Sequence, residues 1–388
     1  LQYERLRWRR RKGKTESARE ILEHPLQDLG QAKHWWRERV IIVRRLFREG
    51  YYSEAYRLAK GHGQTEGEGY AEAEWLAGWI ALRFLNDPQV AFIHFTNLYR
   101  VVRYPISRAR GAYWAARAAE TMGARSTQGR WYRIASKYLT TYYGQLAAER
   151  LNGAQATPLP PPPKLSPEIV STYEALPLAR VVRLLQEIGA TKHLRLFVLQ
   201  LAKQMSTPEA YAWLSDFALS LERPDLAIAI TKRAQRQNIL LFTRGYPTLE
   251  LPKEGPESAL VLAVTRQESA FDKSARSPAN ALGLMQLLPR TARSVSRTLR
   301  LRYSRKKLLS DPNYNIQLGG AYLNGLIKEF DGSYVLAISA YNAGPTRVRR
   351  WIREMGNPRE ADVSTIDWVE SIPIHETRNY VQRVLENL

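Results

Sequence analysis

The chain has 388 residues, of which 44% are hydrophobic, and it carries no cysteine and a formal net charge of +21 at pH 7. This length exceeds that of one typical domain and the apolar fraction excludes a disordered protein, so we expect two or three domains with sizeable cores. The lack of cysteine excludes disulfides, thiolate chemistry and cysteine metal sites. The positive charge favours an anionic partner, namely nucleic acid, anionic lipid or an acidic polymer.

The basic residues lack the signatures of a nucleic-acid-binding protein. No zinc-finger, RRM or leucine-zipper pattern is present, so we expect no nucleic-acid partner. No stretch approaches twenty uninterrupted apolar residues, and no transmembrane segment is predicted. The six histidines are scattered without ligand spacing, so we predict no metal and no other cofactor. The sequence does not indicate any protein partner.

Residues 5–152 are predicted to form one helix after another. Glycine-containing turns separate the helices, and Asp87 followed by Pro88 is typical of an N-cap and a first helical residue. Two segments that combine small residues with large aromatics place Trp75 and Trp114 39 residues apart. This period favours stacked helical hairpins, as in tetratricopeptide-like solenoids. We expect the tryptophans to pack between hairpins rather than to form a row that binds sugars.

A proline run follows this helical region. Five of the six residues 158–163 are proline, which excludes a helix and favours a stiff, extended strap. A docking site for a proline-binding domain is the weaker alternative. Residues 165–245 are predicted to be helical again, because their apolar residues recur at helical spacing.

The helix predicted over residues 258–271 carries a carboxylate on its apolar face. Leu260, Val264, Glu268 and Phe271 share one side of this helix by their spacing. Burial of an unpaired carboxylate is unfavourable, and the usual result is a raised pKa. A glutamate that stays protonated near neutral pH can donate its proton to a leaving oxygen.

Neighbouring residues leave two interpretations of Glu268 open. A glutamate at a helix end can also reach solvent, or form an ion pair with Arg266 or Lys273. The following residues, 272–283, favour a structured loop, because they are rich in turn-forming residues. Gln286 then lies within an apolar run, where it either satisfies nearby backbone or points into a cleft.

The remainder of the chain is also predicted to be helical, so the fold class is all-α. Pro289 is a favoured first helical residue, Asp311 is a predicted N-cap, and Gly344 is a predicted helix stop. Further helices are predicted over residues 335–343, 346–355 and 376–388. No run with a period of two indicates a strand, apart from short extended pieces near the helix that carries Glu268.

Four short motifs occur in order in the last third of the chain. They are Glu268-Ser269, Gly283-Leu284-Met285-Gln286, Ala340-Tyr341-Asn342-Ala343-Gly344 and the stretch 372–381. Together they resemble the soluble lytic transglycosylases of bacterial cell-wall metabolism, which have a lysozyme-like catalytic domain. The upstream chain is similar to this family in its helix pattern and length.

The resemblance implies three parts and a substrate. Residues 1–157 would be an α-superhelical domain shaped as a ring or horseshoe, residues 158–246 a proline-rich strap with a helical linker domain, and residues 247–388 the lysozyme-like catalytic domain. The partner would be the glycan strands of peptidoglycan, an acidic polymer that suits a basic protein. We expect a periplasmic location: the first residues are not a signal peptide, but a removed signal peptide would leave the same sequence.

The resemblance also implies a mechanism with one carboxylate. In lytic transglycosylases a single glutamate protonates the bond between N-acetylmuramic acid and N-acetylglucosamine, and then acts as a base on the C6 hydroxyl of the muramic acid. The sugar closes into a 1,6-anhydro product and no water is consumed. Glu268 matches that glutamate, and a group that serves as acid and then as base needs a pKa near the working pH.

Further residues match substrate-binding positions of the family. These are Ser277, Met285, Gln286, Tyr341, Asn342, Glu376 and Tyr380. Met285 matches the cleft wall, and Tyr341 matches a tyrosine beside the catalytic glutamate, where its hydroxyl would support the acid or the developing charge. Asn342 would bind sugar or hold the cleft together. Glu376 would bind substrate without transferring protons.

Packing or capping is the alternative role for each of these residues, and we favour it for Ser277 and Tyr380. Two positions depart from the family's pattern. Leu288 stands where methionine is common, which nearly conserves the side-chain volume. Asn280 stands where glycine is common, and asparagine tolerates the left-handed backbone conformation that glycine supplies.

Three other functions stay open on the sequence. A hydrolytic muramidase on the same fold would add water to its product. A non-enzymatic helical scaffold would use the domain only to bind the wall, although the intact motifs around Glu268 argue against that. A nucleic-acid-binding helical protein would bind DNA or RNA tightly and with a strong dependence on salt.

Overall fold

The computed structural model describes residues 1–23, 32–153, 158–252 and 254–388. The chain divides into two compact units, Leu1–Thr157 and Pro158–Leu388. The described residues contain helices and no strand; two isolated bridges, Arg276 with Leu282 and Leu282 with Leu287, are the extended pieces. The predicted all-α fold class is confirmed. The last residues before the predicted boundary at residue 157 lie outside the described ranges.

The first unit is a succession of helices in which each contacts its neighbours along the chain. The helices are α1 (Gln2–Arg11), α2 (Thr15–Glu23), α3 (Ala32–Arg48), α4 (Tyr52–Lys60), α5 (Gly67–Arg83), α6 (Pro88–Val101), α7 (Pro105–Thr121), α8 (Arg125–Ala135) and α9 (Tyr142–Asn152). From α3 to α9 every helix packs against the next, and α3 with α5, α5 with α7 and α7 with α9 are also in contact. This pattern is that of a solenoid of helical hairpins.

Buried aromatic residues fill the space between these hairpins. Trp75 and Trp114 are fully buried, and their rings meet edge-on with centroids 6.2 Å apart. Trp79 stacks on Trp75 at 5.4 Å. The carboxylate of Asp87 accepts a hydrogen bond from the backbone N–H of Val90 at 3.0 Å, which is the predicted N-cap. Trp75, Trp79 and Trp114 therefore pack the solenoid, as expected, because a stack of hairpins buries its side chains only between repeats. Trp8 departs from that expectation, since 52% of its surface is exposed.

The second unit begins with the extended proline run and contains the remaining helices. They are α10 (Pro167–Glu174), α11 (Pro177–Glu187), α12 (Thr191–Ala202), α13 (Pro208–Ser220), α14 (Pro224–Gln235), α15 (Phe242–Gly245), α16 (Ser258–Ser269), α17 (Pro289–Thr298), α18 (Lys307–Ser310), α19 (Pro312–Glu329), α20 (Tyr334–Ala343), α21 (Pro345–Met355), α22 (Thr365–Ser371) and α23 (His375–Asn387). Helices α10 to α14 bury one hydrophobic core, and α16, α19, α20 and α23 contribute to a second.

Helix α16 is shorter than predicted. It ends at Ser269 because Ala270 and Phe271 have positive φ angles, +50° and +64°, which turn the chain out of the helix. Non-glycine residues in this conformation are each strained by about 1 kcal/mol or more. Phe271 is nevertheless buried in the core. The carboxylate-bearing end of α16 is therefore held in a sharp turn and not in a continuing helix.

The other predicted helix ends agree with the structure to within one residue. Helix α17 begins at Pro289, and Asp311 caps α19 by accepting from the N–H of Tyr314 at 3.0 Å. Helix α20 ends before Gly344, as predicted, while α21 and α23 begin one residue earlier than predicted. Among the described residues, no helix is both long enough and apolar enough to span a membrane.

Candidate active site

Glu268 and Tyr380 form the centre of the candidate site. Glu268 lies in the last turn of α16, and Tyr380 lies on α23, which packs against α16. The Tyr380 hydroxyl donates a hydrogen bond of 2.6 Å to Oε1 of Glu268. Tyr380 is buried, with 6% of its surface exposed. The structure thus places Tyr380 in direct contact with the carboxylate, where packing alone was the favoured expectation.

The ion pair considered as the ordinary role of Glu268 is not formed. Arg266 donates instead to the carbonyl of Gly245 at 2.8 Å and to Asn387, and its guanidinium lies 4.2 Å from the ring centre of Tyr246. Within the described ranges, Glu268 has no lysine, arginine or histidine partner. The half-buried carboxylate therefore lies beside a neutral hydroxyl and has no counter-charge.

This environment raises the pKa of Glu268 to about 7. Burial is the main cause, because it disfavours the charged form. The hydrogen bond from Tyr380 acts in the opposite direction and lowers the pKa, since it stabilises the carboxylate. The negative charge of Glu376 adds a smaller increase. The group is consequently poised to lose and regain a proton near neutral pH.

Tyr341 lies beside this pair but does not bind the carboxylate. Its hydroxyl donates to the backbone carbonyl of Met285 at 2.7 Å, and its ring is 5.3 Å from that of Tyr322. Burial raises the pKa of Tyr341 well above its ordinary value, and the nearby charge of Glu268 raises it further. Tyr341 therefore anchors the 283–286 segment next to Glu268, and the hydroxyl that touches the acid belongs to Tyr380.

A buried asparagine organises the segment that Tyr341 anchors. Asn315, in α19, accepts from the N–H of Met285 at 2.9 Å and donates to the carbonyls of Leu282 and Leu308 at 3.0 and 2.9 Å. Gly283 has φ +76°, and a Cβ there would lie 2.0 Å from the Leu308 carbonyl oxygen. Sequence reasoning missed Asn315; its place on the same helical face as Leu318 and Tyr322 of α19 was the available signal, because buried polar groups need partners.

Gln286 satisfies the backbone of its own loop. Its amide nitrogen donates to the carbonyls of Ala275 and Gly283 at 3.1 and 2.8 Å, and its backbone φ is +46°. Of the two alternatives that the sequence left open, this is the one in which Gln286 satisfies nearby backbone. The amide oxygen accepts no hydrogen bond from the described residues, so it is left available to a ligand.

Met285 belongs to the core and not to a cleft surface. Its side chain is fully buried, and a Cβ on Gly319 of α19 would lie 2.3 Å from its sulfur. The expectation that Met285 lines the wall of a cleft does not fit this position. Its backbone still matters to the site, because its N–H and carbonyl are held by Asn315 and Tyr341.

Ser277 closes a turn in the loop that precedes Gly283. Its hydroxyl accepts from the N–H of Ala281 at 3.0 Å, and its own N–H donates to the Ala281 carbonyl at 3.1 Å. Asn280, within this turn, has the left-handed φ of +65° that was expected of it. Ser277 is half-buried and shapes the loop, in line with the favoured structural role.

Asn342 and Glu376 lie where α20 and α23 meet. The hydroxyl of Thr377 donates to the side-chain oxygen of Asn342 at 2.6 Å, which ties the two helices together. Of the two roles considered for Asn342, binding sugar and holding the cleft together, this contact corresponds to the second. Glu376 is exposed in the first turn of α23, one helical turn before Tyr380, and its charge acts on Glu268. It is thus free to contact a ligand that reaches Glu268.

Comparison with known proteins identifies the class of this domain. Residues 250–363 match the family described as the Transglycosylase SLT domain. The soluble lytic murein transglycosylase of Escherichia coli K12 is 41% identical over 134 residues, which are 34% of this chain and 20% of that protein. A putative soluble lytic murein transglycosylase of Haemophilus influenzae is 43% identical over 124 residues, 32% of this chain and 20% of the relative.

Solved structures extend the likeness to nearly the whole chain. An inactive glutamate-to-glutamine mutant of the lytic transglycosylase Slt from Pseudomonas aeruginosa is 26% identical with a TM-score of 0.71, covering 96% of this chain and 59% of that one. The 70 kDa soluble lytic transglycosylase of Escherichia coli shares the fold, with 21% identity, a TM-score of 0.58 and coverage of 96% and 64%.

The chain therefore carries an SLT transglycosylase domain joined to further helical structure. The resemblance to the soluble lytic transglycosylases that the motifs predicted is confirmed. The sequence matches cover about a fifth of the length of the soluble relatives, and the structural matches cover about three fifths of the solved structures. The matched segment ends at residue 363, so Glu376 and Tyr380 lie beyond it.

Proposed function

We propose that this chain cleaves the glycan strands of peptidoglycan as a lytic transglycosylase. The bond broken joins C1 of N-acetylmuramic acid to O4 of N-acetylglucosamine, and the product is a 1,6-anhydro-muramic acid end. The observation that carries the proposal is the Glu268–Tyr380 pair, whose half-buried carboxylate has a pKa of about 7 and no counter-charge among the described residues. The names of the murein transglycosylase relatives supply the class of substrate.

In the first step protonated Glu268 gives its proton to the leaving O4, and the C1–O4 bond breaks. In the second step the resulting carboxylate takes the proton of the C6 hydroxyl of the same muramic acid. O6 then bonds to C1, and Glu268 is protonated again, so no water enters the product. Each step needs the opposite ionisation state of one group, and a pKa near the working pH keeps both states accessible.

A single carboxylate distinguishes this proposal from ordinary glycoside hydrolysis. Retaining and inverting hydrolases place two carboxyl groups on either side of the bond, roughly 5 to 10 Å apart. The second acidic residue near Glu268 is Glu376, which is exposed and acts on it only through its charge. The Pseudomonas neighbour is inactive when one of its glutamates is changed to glutamine, so a glutamate is essential in that protein.

The surrounding residues are assigned by what they touch. Tyr380 orients the Glu268 carboxylate and restrains the rise of its pKa. Glu376 and the free amide oxygen of Gln286 are proposed to hydrogen-bond sugar. Positioning roles are proposed for the residues that hold the loop and helices in place, namely Ser277, Met285, Asn315, Tyr341 and Asn342.

The organisation of the full chain is part of the same proposal. Residues 1–157 would serve as a superhelical domain that handles glycan strands, residues 158–246 as strap and linker, and residues 247–388 as the catalytic domain. A periplasmic location is proposed with it, because that compartment gives access to a peptidoglycan substrate.

The test is mass analysis of the products released from purified sacculi by the full chain. We expect muropeptides with 1,6-anhydro ends, each lighter by one water than a hydrolysis product, and none from the Glu268→Gln variant. Products with reducing ends would identify a hydrolytic muramidase. Binding to sacculi without release of fragments would identify a non-enzymatic scaffold. Either result would overturn the proposal.

A further inference from the structure

A cavity of about 490 Å³ lies in the second unit and takes no part in the proposed chemistry. Helices α16 and α19 form two of its sides, and the loop before α16 and the end of α17 complete it. Val261, its wall residue on α16, precedes Glu268 by seven residues, which is about 10 Å along the helix. The cavity is therefore separate from the candidate active site, and its volume is typical of a site for a small molecule.

The walls of this cavity are apolar. Leu251, Pro252 and Pro256 line it from the loop, and Val261 and Ile316 line it from the two helices. Val261 and Ile316 are buried, with 4% and 2% of their surfaces exposed, and they belong to the core that α16 and α19 share. The described lining residues include no aromatic side chain. A ligand must therefore present an apolar body to these walls, because contact with them removes apolar surface from water.

Gly320 keeps the cavity open. It lies in the middle of α19, where glycine lowers the stability of the helix relative to alanine. The neighbouring Gly319 is required by packing, since a Cβ there would lie 2.3 Å from the sulfur of Met285. A Cβ at Gly320 would meet only the ring of Pro256, at an ordinary contact distance of 3.9 Å. Crowding therefore does not explain Gly320, and a larger side chain at this position would occupy the cavity.

Three polar side chains line the cavity without a partner among the described residues. They are Glu254, Gln317 and Asn324, and none of them forms a hydrogen bond or an ion pair within that part of the chain. Glu257, three residues beyond Glu254, differs in this respect, since it accepts a hydrogen bond from the hydroxyl of Tyr334 at 2.9 Å. No lysine, arginine or histidine is among the described lining residues. The cavity therefore offers one carboxylate and two amides to a ligand.

These polar groups favour a cation. The carboxylate of Glu254 accepts hydrogen bonds and donates none, and the amide oxygens of Gln317 and Asn324 accept as well. An ammonium group has three N–H donors and no acceptor, so it is complementary to these three side chains. A carboxylate or phosphate would be repelled by the charge of Glu254. This preference is opposite to that of the whole chain, whose net charge of +21 attracts anions.

We propose that this cavity binds a small amphiphilic amine. The apolar body of the ligand packs against the walls, and its ammonium group contacts Glu254, Gln317 and Asn324. The inference goes beyond the proposed function and does not rest on it, because the site is distinct from the one that contains Glu268. A bound amine stabilises α16 and α19 together, since both helices contribute to the walls.

The test titrates the full chain with three probes that share one apolar body: 4-phenylbutylamine, 4-phenylbutanol and 4-phenylbutyrate. Ligand-observed NMR gives each Kd. We expect the amine to bind with a Kd on the order of millimolar, as for a small fragment, and about threefold to fivefold more tightly than the alcohol. The carboxylate should bind most weakly. Hydrogen exchange of peptides from α16 and α19 should slow when the amine is bound, which locates the site. Equal binding of the amine and the carboxylate would overturn the inference.

Substitutions of Gly320 test whether the amine occupies the cavity. Gly320→Leu fills it and should weaken binding of the amine at least about tenfold. Gly320→Ala should weaken binding about twofold to threefold and keep Tm at or above that of wild type, since alanine favours the helix. Gly325→Leu is the matched control, because Gly325 is exposed on the same helix and no heavy atom lies within 4 Å of a Cβ there. Wild-type binding in either folded Gly320 variant, or an equal loss in the control, would overturn the inference.

Glu254→Gln tests the preference for a cation. It removes the charge and nearly keeps the shape, so the amine should bind only as tightly as the alcohol, whose affinity should not change. Glu257→Gln is the matched control, because that carboxylate already accepts from Tyr334, and it should keep the wild-type preference. A preference that survives Glu254→Gln would overturn the inference, as would tighter binding of N-acetylglucosamine than of the amine. No turnover is measured, so these results do not bear on the proposed function.

Discussion

One buried and one half-buried carboxylate in this protein have pKa values that differ by about five pH units, because their partners differ. Glu74, in α5 of the first unit, has a pKa lowered to about 2, and Glu268, in α16 of the second, has a pKa raised to about 7. Both start from the same ordinary value of 4.5. Burial raises the pKa at both sites, so burial by itself does not explain the difference.

The partners of each carboxylate decide the outcome. Glu74 accepts from Nε2 of His62 at 3.1 Å and from Nδ1 of His94 at 2.7 Å. The backbone N–H of Gln64 donates to Nδ1 of His62, which leaves the proton on Nε2 for Glu74. These hydrogen bonds and the electrostatic effect of the two imidazole rings outweigh burial and lower the pKa of Glu74. Glu268 has one neutral hydroxyl, and burial prevails. A carboxylate supplied with donors is structural, whereas one deprived of them is a candidate acid.

The largest expected effect is that of Glu268→Gln on catalysis. Loss of the only group assigned to proton transfer should lower kcat by about 10²- to 10⁴-fold or more, the usual contribution of general acid–base catalysis. Muropeptide release from sacculi measures this effect. Activity within a few-fold of wild type would contradict the assignment of Glu268 as a catalytic acid, because Glu268 would then be a structural carboxylate like Glu74.

The same variant should not lose stability above neutral pH. The folded-state pKa of Glu268 lies above its unfolded value, so ionisation destabilises the fold as pH rises from about 4.5 to about 7. Glutamine avoids that ionisation, and the variant should be more stable at pH 8 by up to about 3 kcal/mol. Hydrogen exchange of peptides from α16 and α23 at pH 5 and pH 8 measures the difference, with Glu257→Gln as an exposed control.

The Glu74→Ala variant should lose stability and not chemistry. Removal of the carboxylate leaves two buried histidines without their acceptor, and the first unit should be destabilised by about 3 kcal/mol. The pKa of Glu74 is depressed on folding, so wild-type protein has this stability above about pH 4.5 and loses it as pH falls towards 2. Hydrogen exchange of α5 and α6 should show faster opening at pH 7, and unchanged exchange would contradict the assignment.

Tyr380→Phe tests the one hydrogen bond that restrains Glu268. Its removal should raise the pKa of Glu268, because that bond stabilises the carboxylate. The basic limb of the pH profile of kcat/KM should therefore move to higher pH, and kcat should fall roughly tenfold, as for a lost bond to a charged group.

Tyr341→Phe is the matched control for this change. It removes a hydroxyl bound to the Met285 carbonyl and leaves the Glu268–Tyr380 bond in place. We expect a stability loss of about 1 to 3 kcal/mol from the unsatisfied carbonyl and little movement of the pH limb. If only Tyr341→Phe moved the basic limb of the pH profile, Tyr341 and not Tyr380 would be the tyrosine that controls the pKa of Glu268.

The smallest expected effect is that of Glu376→Gln. Its charge raises the pKa of Glu268, so its loss should lower that pKa and move the basic limb to lower pH, opposite to Tyr380→Phe. The shift should shrink in high salt, because an exposed charge is screened. A loss of binding that exceeds any effect on the pH limb would support the proposed contact of Glu376 with sugar. Movement of the limb to higher pH would contradict the electrostatic assignment.

The sequence alone determined the features that depend on near neighbours along the chain. The caps at Asp87 and Asp311 and the helix start at Pro289 follow from local backbone chemistry, and the structure has all three. The apolar stripe placed Glu268 toward the core because helical spacing fixes which residues share a face. The all-α class follows from the same periodicity.

Tertiary structure decided which of these residues touch. Tyr380 lies 112 residues from Glu268, and Tyr341 lies 56 residues from Met285, so no local pattern shows which hydroxyl meets the acid. The histidines around Glu74 and the three bonds of Asn315 depend likewise on how helices pack. Local sequence determines a residue's backbone conformation and the helix face on which it lies. Its pKa depends on side chains that are distant in the sequence and that only the tertiary fold brings into contact with it.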